Sequence, residues 1–391
     1  MMKKHFIVLC SLFCLLLSPA AFVEAAWQPE LLVSLGTAGT TLRLSGNLPV
    51  VLKRLDNKKV VWHGKAKEFA TLTFTDKGWE LNGRKLKKAD AAALELTVED
   101  ERNLSKLIST YDNKSYRGAL RLLPHKGSLQ LINRITAEEY LQGVVPEEMP
   151  AEWNPEAVKA QAVAARTYAL RQRKRHAKEG FDVCATTHCQ QYGGVSVERA
   201  AANQAVKATS GEVLESHGAL VDALFHTDSG GMTENSEDVW GSRIDCLRAA
   251  KEVQTETYPW EKNITVQKFS ELLAKRGKNI GTLKKIELSP IKIGKASKDR
   301  TVSGRVKQVT FVGKNGKASI TGNDLRSMLG LKSTLFGMTM NRNVLFIKGY
   351  GWGHGLGMSQ HGAKAYADSE HYDYKQILQH YYRGAELKKL Y

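Results

Sequence analysis

The segment Cys184-Ala185-Thr186-Thr187-His188-Cys189 gathers two thiols and an imidazole within six residues. Thiolates and imidazoles are the ligands of tetrahedral zinc sites, although the spacing departs from paired Cys-x-x-Cys hooks. A fourth ligand must come from elsewhere, with His176 the candidate. A disulfide between Cys184 and Cys189 uses the same residues in an oxidising compartment, and residue types alone leave the two readings level. Glu148 is a different kind of candidate, set in Gly143-Val144-Val145-Pro146-Glu147-Glu148-Met149-Pro150. A loop bracketed by prolines beside two valines predicts a carboxyl partly stripped of water, with its pKa raised toward general acid work. The plain reading is a solvated or capping carboxylate, the commoner fate of a lone glutamate.

His226 stands in Phe225-His226-Thr227-Asp228-Ser229-Gly230-Gly231-Met232-Thr233, a strand-like run that breaks into a Gly-Gly turn. The order around Ser229 is not Gly-x-Ser-x-Gly, so Ser229 reads as a turn or substrate-contact residue rather than a nucleophile. From Gly349 to Ala363 the chain alternates glycine with Trp352, His354, Gln360 and His361. Alternating glycines bring backbone close to a ligand, and Trp352 and His354 offer a stacking face and a hydrogen-bonding group. Tight crowding inside the protein explains the same glycines equally well. A phosphate-cradling glycine loop requires a βαβ unit, so no nucleotide or organic cofactor is expected.

The elements that must position these residues are legible in part. Leu31 to Leu35, Thr41 to Leu44, Lys59 to Trp62 and Thr71 to Phe74 read as short strands, with turns at Asp56-Asn57 and Asn82-Gly83. Tyr116 to Ile135 alternates apolar and polar residues and leads into the Glu148 segment. Asn154-Pro155-Glu156 is a helix start, followed by an alanine-rich run to Leu170; a second helix is expected from Arg199 to Thr209. A β-rich subregion is expected near 265–336, with a strand over Val306 to Val312 and a turn at Asn315-Gly316, and the C-terminus reads as a glycine loop and two helices. The expected fold class is α+β, divided into residues 27–105 as a β-rich module and 106–391 as a mixed catalytic domain.

At 391 residues, 42% hydrophobic and 25% charged, the chain is neither disordered nor fibrous. Lys3 and Lys4 precede an apolar run from Phe6 to Val23, and Val23-Glu24-Ala25 supplies small residues for cleavage. Residues 1–25 are therefore expected to be a secretory signal, with an uncleaved anchor the alternative. Export leaves Cys184, Cys189 and Cys246, an odd number that rules out a fully paired disulfide framework. The net charge of +17 is either an attractor for polyanions or a soluble basic surface with no specific partner, and charge alone leaves both open. In an exported protein the polyanions are anionic wall polymers or a membrane surface rather than nucleic acid.

Taken together, Tyr140 to Pro150, Glu156 to Ala169, His188-Cys189-Gln190-Gln191-Tyr192, Ser229 to Thr233 with Val239-Trp240-Gly241, and Gly353 to Ala363 resemble the signature of the SpoIID/LytB family. The resemblance runs from about Tyr116 to the C-terminus. It implies a lytic transglycosylase that cuts peptidoglycan glycan strands, after an amidase has removed their stem peptides, at the cell wall or the outer face of the membrane. It selects Glu148, directly before Met149-Pro150, as the catalytic acid/base. His226, Ser229, Thr233, Trp352, His354 and Gln360 would bind substrate, and the family's zinc-binding members favour Zn2+ at Cys184, His188 and Cys189 with His176. The family also implies a second role, a non-catalytic wall protein that enhances an N-acetylmuramoyl-L-alanine amidase. After Trp240-Gly241 the family pattern leads to expect a Pro-Tyr-Leu-like step, where this chain has Asp245-Cys246-Leu247. If that aromatic lines the cleft, Cys246 removes a stacking partner.

Overall fold

The computed structural model describes residues 28–86, 92–254 and 256–391. The apolar N-terminal run read as a signal lies outside them. Among the described residues no helix is long and apolar enough to cross a membrane. The architecture is α+β, with helices and strands in several separate sheets.

A seven-stranded sheet runs in the order Val183–Cys184, Glu30–Ala38, Ser128–Thr136, Ala119–His125, Leu94–Thr97, Val50–Arg54, Val60–Gly64. A six-stranded sheet includes Ile108–Tyr111, Thr41–Gly46 and Ala70–Thr75. In Thr41–Gly46 burial alternates at first, Leu42 and Leu44 pointing inward, which is what a strand with one wet face requires. Those leucines join Leu31, Leu122 and Leu131 of the larger sheet in one core. Asn82 and Gly83 take φ of 49° and 74°, the left-handed pair that closes a tight hairpin. Both sheets cross residue 105, since Ile108–Tyr111 pairs with Thr41–Gly46 and Ala119–His125 with Leu94–Thr97. A cut there would bare the edges of both sheets, so the strands before and after it form one body.

Helices α1 (Ala137–Glu148), α2 (Pro155–Arg171) and α3 (Ala200–Ala208) follow. Asn154 caps α2 through Oδ1, which accepts the Glu156 N–H, and Pro155 fills the first turn. The alanines of α2 are buried almost all round, because only small side chains allow α1 and α3 to approach so closely. Arg166 is fully buried among them, and its guanidinium forks onto Glu138 of α1 at 2.7 and 2.8 Å. Its remaining donors reach the Glu212 and Val206 carbonyls, the pairing that a buried cation requires.

Beyond the short α4 (Ser236–Trp240), the chain enters an inserted unit at Trp260 and leaves it at Gly349, two residues paired in one antiparallel ladder. The unit holds two three-stranded sheets with α5 (Val266–Ala274) and α6 (Gly322–Leu329), around a core of its own built on Phe269, Phe311 and Phe336. This core spans Val266 to Ile347, somewhat beyond the expected 265–336, and the two helices were not foreseen. Helices α7 (Gln360–Ser369) and α8 (Tyr374–Tyr381) return to the main core.

Candidate functional site

Glu148 is the last residue of α1, not part of a loop; Pro146 lies inside the helix, and the Met149 N–H closes the final turn onto Val145. Proline there removes the bond to the Gln142 carbonyl and crowds that carbonyl, a cost that is confined to the helix's last turn. The carboxyl of Glu148 accepts the Gln191 N–H at 2.9 Å. Burial pushes its pKa up, the Gln191 hydrogen bond works against this, and the charge of Glu147 adds to the rise. Its place at a helix C-terminus, where the backbone dipole disfavours negative charge, acts in the same direction.

Glu148 opens onto a cleft of about 640 Å³ whose lining includes His188, Cys189, His226, Trp352, His354 and Gln360. The strand Phe225–His226 pairs in parallel with Met358–Ser359, and this delivers both histidines. His226 donates from Nδ1 to the Leu356 carbonyl at 3.1 Å, while its buried Nε2 has no partner among the described residues. Burial and then the charges of His354 and Arg305 hold His226 neutral, so Nε2 presents a lone pair. His354 accepts the Leu356 N–H on Nδ1 at 3.0 Å, and burial with Arg326 and Arg305 nearby pushes its pKa down to about 4. Trp352 is 42% exposed. Its backbone bridges to Asp228, and Lys332 sits 4.6 Å from its ring.

Two expected substrate contacts lie elsewhere. Ser229 is buried off this cleft, its Oγ accepting the Gly231 N–H and its carbonyl accepting from Arg305. Thr233 is likewise buried, donating to the Arg248 carbonyl and accepting the Ala250 N–H. Both hydroxyls hold the turn that their sequence suggested. The glycine loop is crowded by protein: a Cβ on Gly353 would stand 2.6 Å from that of His226, and one on Gly357 2.0 Å from the Leu224 carbonyl. Cys246 packs in the main core rather than lining the cleft, so its side chain takes nothing from the cleft wall.

Sequence reasoning missed the backbone donor of Gln191, which no residue type announces. It also missed Tyr168, Gln172, Asp222 and Trp240 in the lining. Tyr168 on α2 and Gln172, the residue that ends it, stand four apart, a same-face spacing that was available. Asp222 accepts from Gln172 at 3.1 Å and lies 3.7 Å from Arg171.

The cysteine cluster stands in the same wall. Cys184, Cys189 and Cys246 are free thiols, so the disulfide alternative is not formed. Cys189 Sγ lies 3.5 Å from His176 Nε2 and 3.6 Å from His188 Nδ1, and Cys184 Sγ lies 3.7 Å from the same His188 nitrogen. A tetrahedral ion with usual zinc bond lengths has sulfur-to-nitrogen edges of roughly 3.6 Å. His176, His188 and Cys189 bring their ligand atoms within 4.8 Å of one another and fit one, while Cys184 reaches His188 but falls outside that group. The His176 ring is set by Nδ1 contacting Glu179 at 2.8 Å, the carboxylate partner typical of a metal-binding imidazole. Partial burial works to raise the Cys184 pKa, yet hydrogen bonds from Thr186, Cys189 and His188 outweigh it and bring it down to about 6. With Cys184 drawn in as the fourth ligand, such a site would be closed and structural.

Fold and site together define an α+β protein with a single helix-end carboxyl facing a cleft, its wall braced by a thiol and imidazole cluster. The chain belongs to the stage II sporulation protein D family. The family model described as stage II sporulation protein matches residues 125–215, and a domain of unknown function matches 232–357. Stage II sporulation protein D of Bacillus subtilis is 32% identical over 279 residues, 66% of this chain and 76% of that protein. Its counterpart in Bacillus amyloliquefaciens is 32% identical over 68% of this chain and 78% of its own length. The amidase enhancer of Bacillus subtilis is 33% identical over 289 residues, 63% of this chain, but the chain spans only 40% of that longer protein.

Proposed function

We propose that the chain is an exported lytic transglycosylase that cuts peptidoglycan glycan strands to 1,6-anhydro products, with Glu148 as its acid/base. The observation that carries this reading is the cleft's carboxyl inventory. Among the described residues, Glu148 and Asp222 are the only acids in the lining, and Asp222 is engaged by Gln172 and Arg171. Hydrolysis by a glycosidase uses two carboxyls flanking the bond. Intramolecular attack needs one. Protonated Glu148 gives its proton to the glycosidic oxygen as the C1–O bond breaks; the sugar's own C6 hydroxyl oxygen then bonds to C1, and its proton passes to the Glu148 carboxylate. No water is consumed, and the acid is regenerated.

A raised pKa keeps a larger share of Glu148 protonated near neutrality, which favours the first step. Trp352 offers the sugar an exposed stacking face, while His226, whose Nε2 reaches no solvent, shapes the wall rather than bonding the sugar directly. We assign zinc to Cys184, Cys189, His188 and His176; when bound it supplies a cross-link, not a reacting centre. Gln191 follows Cys189 by two residues, so fixing the cluster fixes the N–H that holds Glu148.

The test incubates the protein and its Glu148→Gln variant with intact and with peptide-free glycan strands, followed by mass spectrometry. Anhydro-ended fragments from the wild type, reduced at least ~100-fold in the variant, are expected for loss of a general acid. The likeness to an amidase enhancer supplies a second reading, in which the cleft binds glycan without cutting it. Absence of cleavage by folded wild type, together with acceleration of a cell-wall amidase that survives Glu148→Gln, would establish that reading instead.

A further inference from the structure

The chain's positive charge is concentrated in the inserted unit. Residues 260–349 hold 14 lysines and 5 arginines against 3 glutamates and 2 aspartates, a net +14 of the chain's +17. Everything outside the unit therefore contributes only +3. Arg300 and Arg305 are spent internally on the carbonyls of Ser289, Gly304, Phe336 and Ser229. Thirteen lysines with Arg276 and Arg342 are exposed.

Acids offset only some of them: Lys268 pairs with Glu271 at 3.7 Å and Lys307 with Asp238 at 3.4 Å. Glu287 is shared by Lys285 and Lys317 at 3.5 and 3.6 Å, and Asp299 accepts the Ser289 N–H and the Ser297 hydroxyl. Lys284, Lys292, Lys295 and Lys298 form no ion pair among the described residues. Beside Lys298 lies a groove of about 600 Å³ that sets Lys298 and Lys307 against Glu287 and Asp299, with Ser289, Gln308 and Thr310 as neutral polar groups. Lys307 lies 3.4 Å from Asp238, so the free positive charge lies outside this groove, on Lys284, Lys292 and Lys295. Solubility alone asks for charges of both signs, interspersed.

We propose that the inserted unit is a docking module for a phosphodiester-linked wall polymer, a flexible polyanion distinct from the glycan in the cleft. Lysine outnumbers arginine thirteen to two among the exposed cations. Arginine's planar fork fixes the orientation of the carboxylate or phosphate it grips, whereas lysine is a point charge that makes no such demand and suits the spaced charges of a flexible phosphodiester chain. A lipid surface fits less well. The exposed large hydrophobic side chains of the described residues are Phe69, Trp240, Trp352 and Leu390, none within the unit, so nothing there inserts among acyl chains. Only the choice of a wall polymer rests on the proposed function; the concentration of charge does not.

The experiment measures binding of the whole protein to fluorescent poly(glycerol phosphate) across a salt series. Its comparisons are Lys284/Lys292/Lys295/Lys298→Gln and a control, Lys58/Lys65/Lys77/Lys126→Gln, which removes four exposed lysines outside the unit. Loss of about tenfold or more in affinity at low salt, with the slope of log affinity against log salt shallower by about 3, is expected for the first variant alone. Equal losses in both variants would mean diffuse charge and overturn the proposal. So would tighter binding to phosphatidylglycerol vesicles, to single-stranded DNA or to peptide-free glycan at equal charge concentration. Cleavage of polymer-free glycan should be the same in wild type and both lysine variants, so failure of this inference is separable from failure of the catalytic reading.

Discussion

Glu252 should make the protein lose stability as pH rises through neutrality. Among the described residues its Oε1 reaches no solvent and has no hydrogen-bond partner, and its Oε2 accepts from Tyr381 at 2.7 Å. Burial pushes its pKa up from 4.5 to about 7, against the hydroxyls of Tyr381 and Ser229 and with help from the charge of Asp228. The folded state therefore holds a proton that the unfolded chain releases. Stability is full below the unfolded value, falls as pH climbs between the two, and levels off above the folded one. At about 1.4 kcal/mol per unit the full penalty is about 3 kcal/mol, of which about 2.5 kcal/mol develops between pH 5 and pH 8. Glu252→Gln keeps an oxygen for Tyr381 and has no charge to bury. Urea unfolding of both proteins at the two pH values should show the variant gaining on wild type by that amount. A difference that stays constant within about 0.5 kcal/mol would refute the reasoning, because it would mean the carboxyl finds water or a cation when ionised.

Two further outcomes follow from the geometry. Arg166→Met should cost about 3 to 5 kcal/mol in denaturant unfolding, since it strands the Glu138 carboxylate in the core, whereas adding Glu138→Gln should recover much of the loss. Additive losses in that double-mutant cycle would contradict a direct pair. Native mass spectrometry should find one zinc per chain; Cys189→Ser should lower both occupancy and melting temperature, and a metal-free wild type of unchanged stability would remove the proposed cross-link.

The α+β class and the start of α2 were legible because their signals are local: Asn154 and Pro155 act within one turn, and Leu42 and Leu44 need only alternation. Glu148 was misplaced for the same reason. Proline on either side reads as a loop, but the tertiary burial of Tyr140, Leu141, Val144 and Val145 carries the helix through Pro146. Ser229 and Thr233 look reactive as residue types, and only the folded chain shows their hydroxyls committed to nearby backbone groups. The fourth cluster residue, His176, could be suggested but not fixed from sequence. Its position depends on a left-handed Lys174 and a short turn that returns Phe181 against the imidazole.

The position of Glu148 also explains why the family's motifs are scattered along so much of the chain. A helix-end carboxyl cannot be held by its own helix, because the last turn exposes carbonyls and offers no donors to an anion. The donor must come from another segment, and here it is Gln191, tied down through Gln190, whose Nε2 reaches the Ala165 carbonyl and whose Oε1 accepts from Tyr140. The facing wall has the same dependence: His226 is aimed by Leu356, 130 residues away, and only glycine at 353 lets the two strands come that close. Losing any one of these segments would leave the carboxyl in place and its surroundings unfixed. Mutations at Gly353 or Tyr140 should therefore impair the site without touching Glu148.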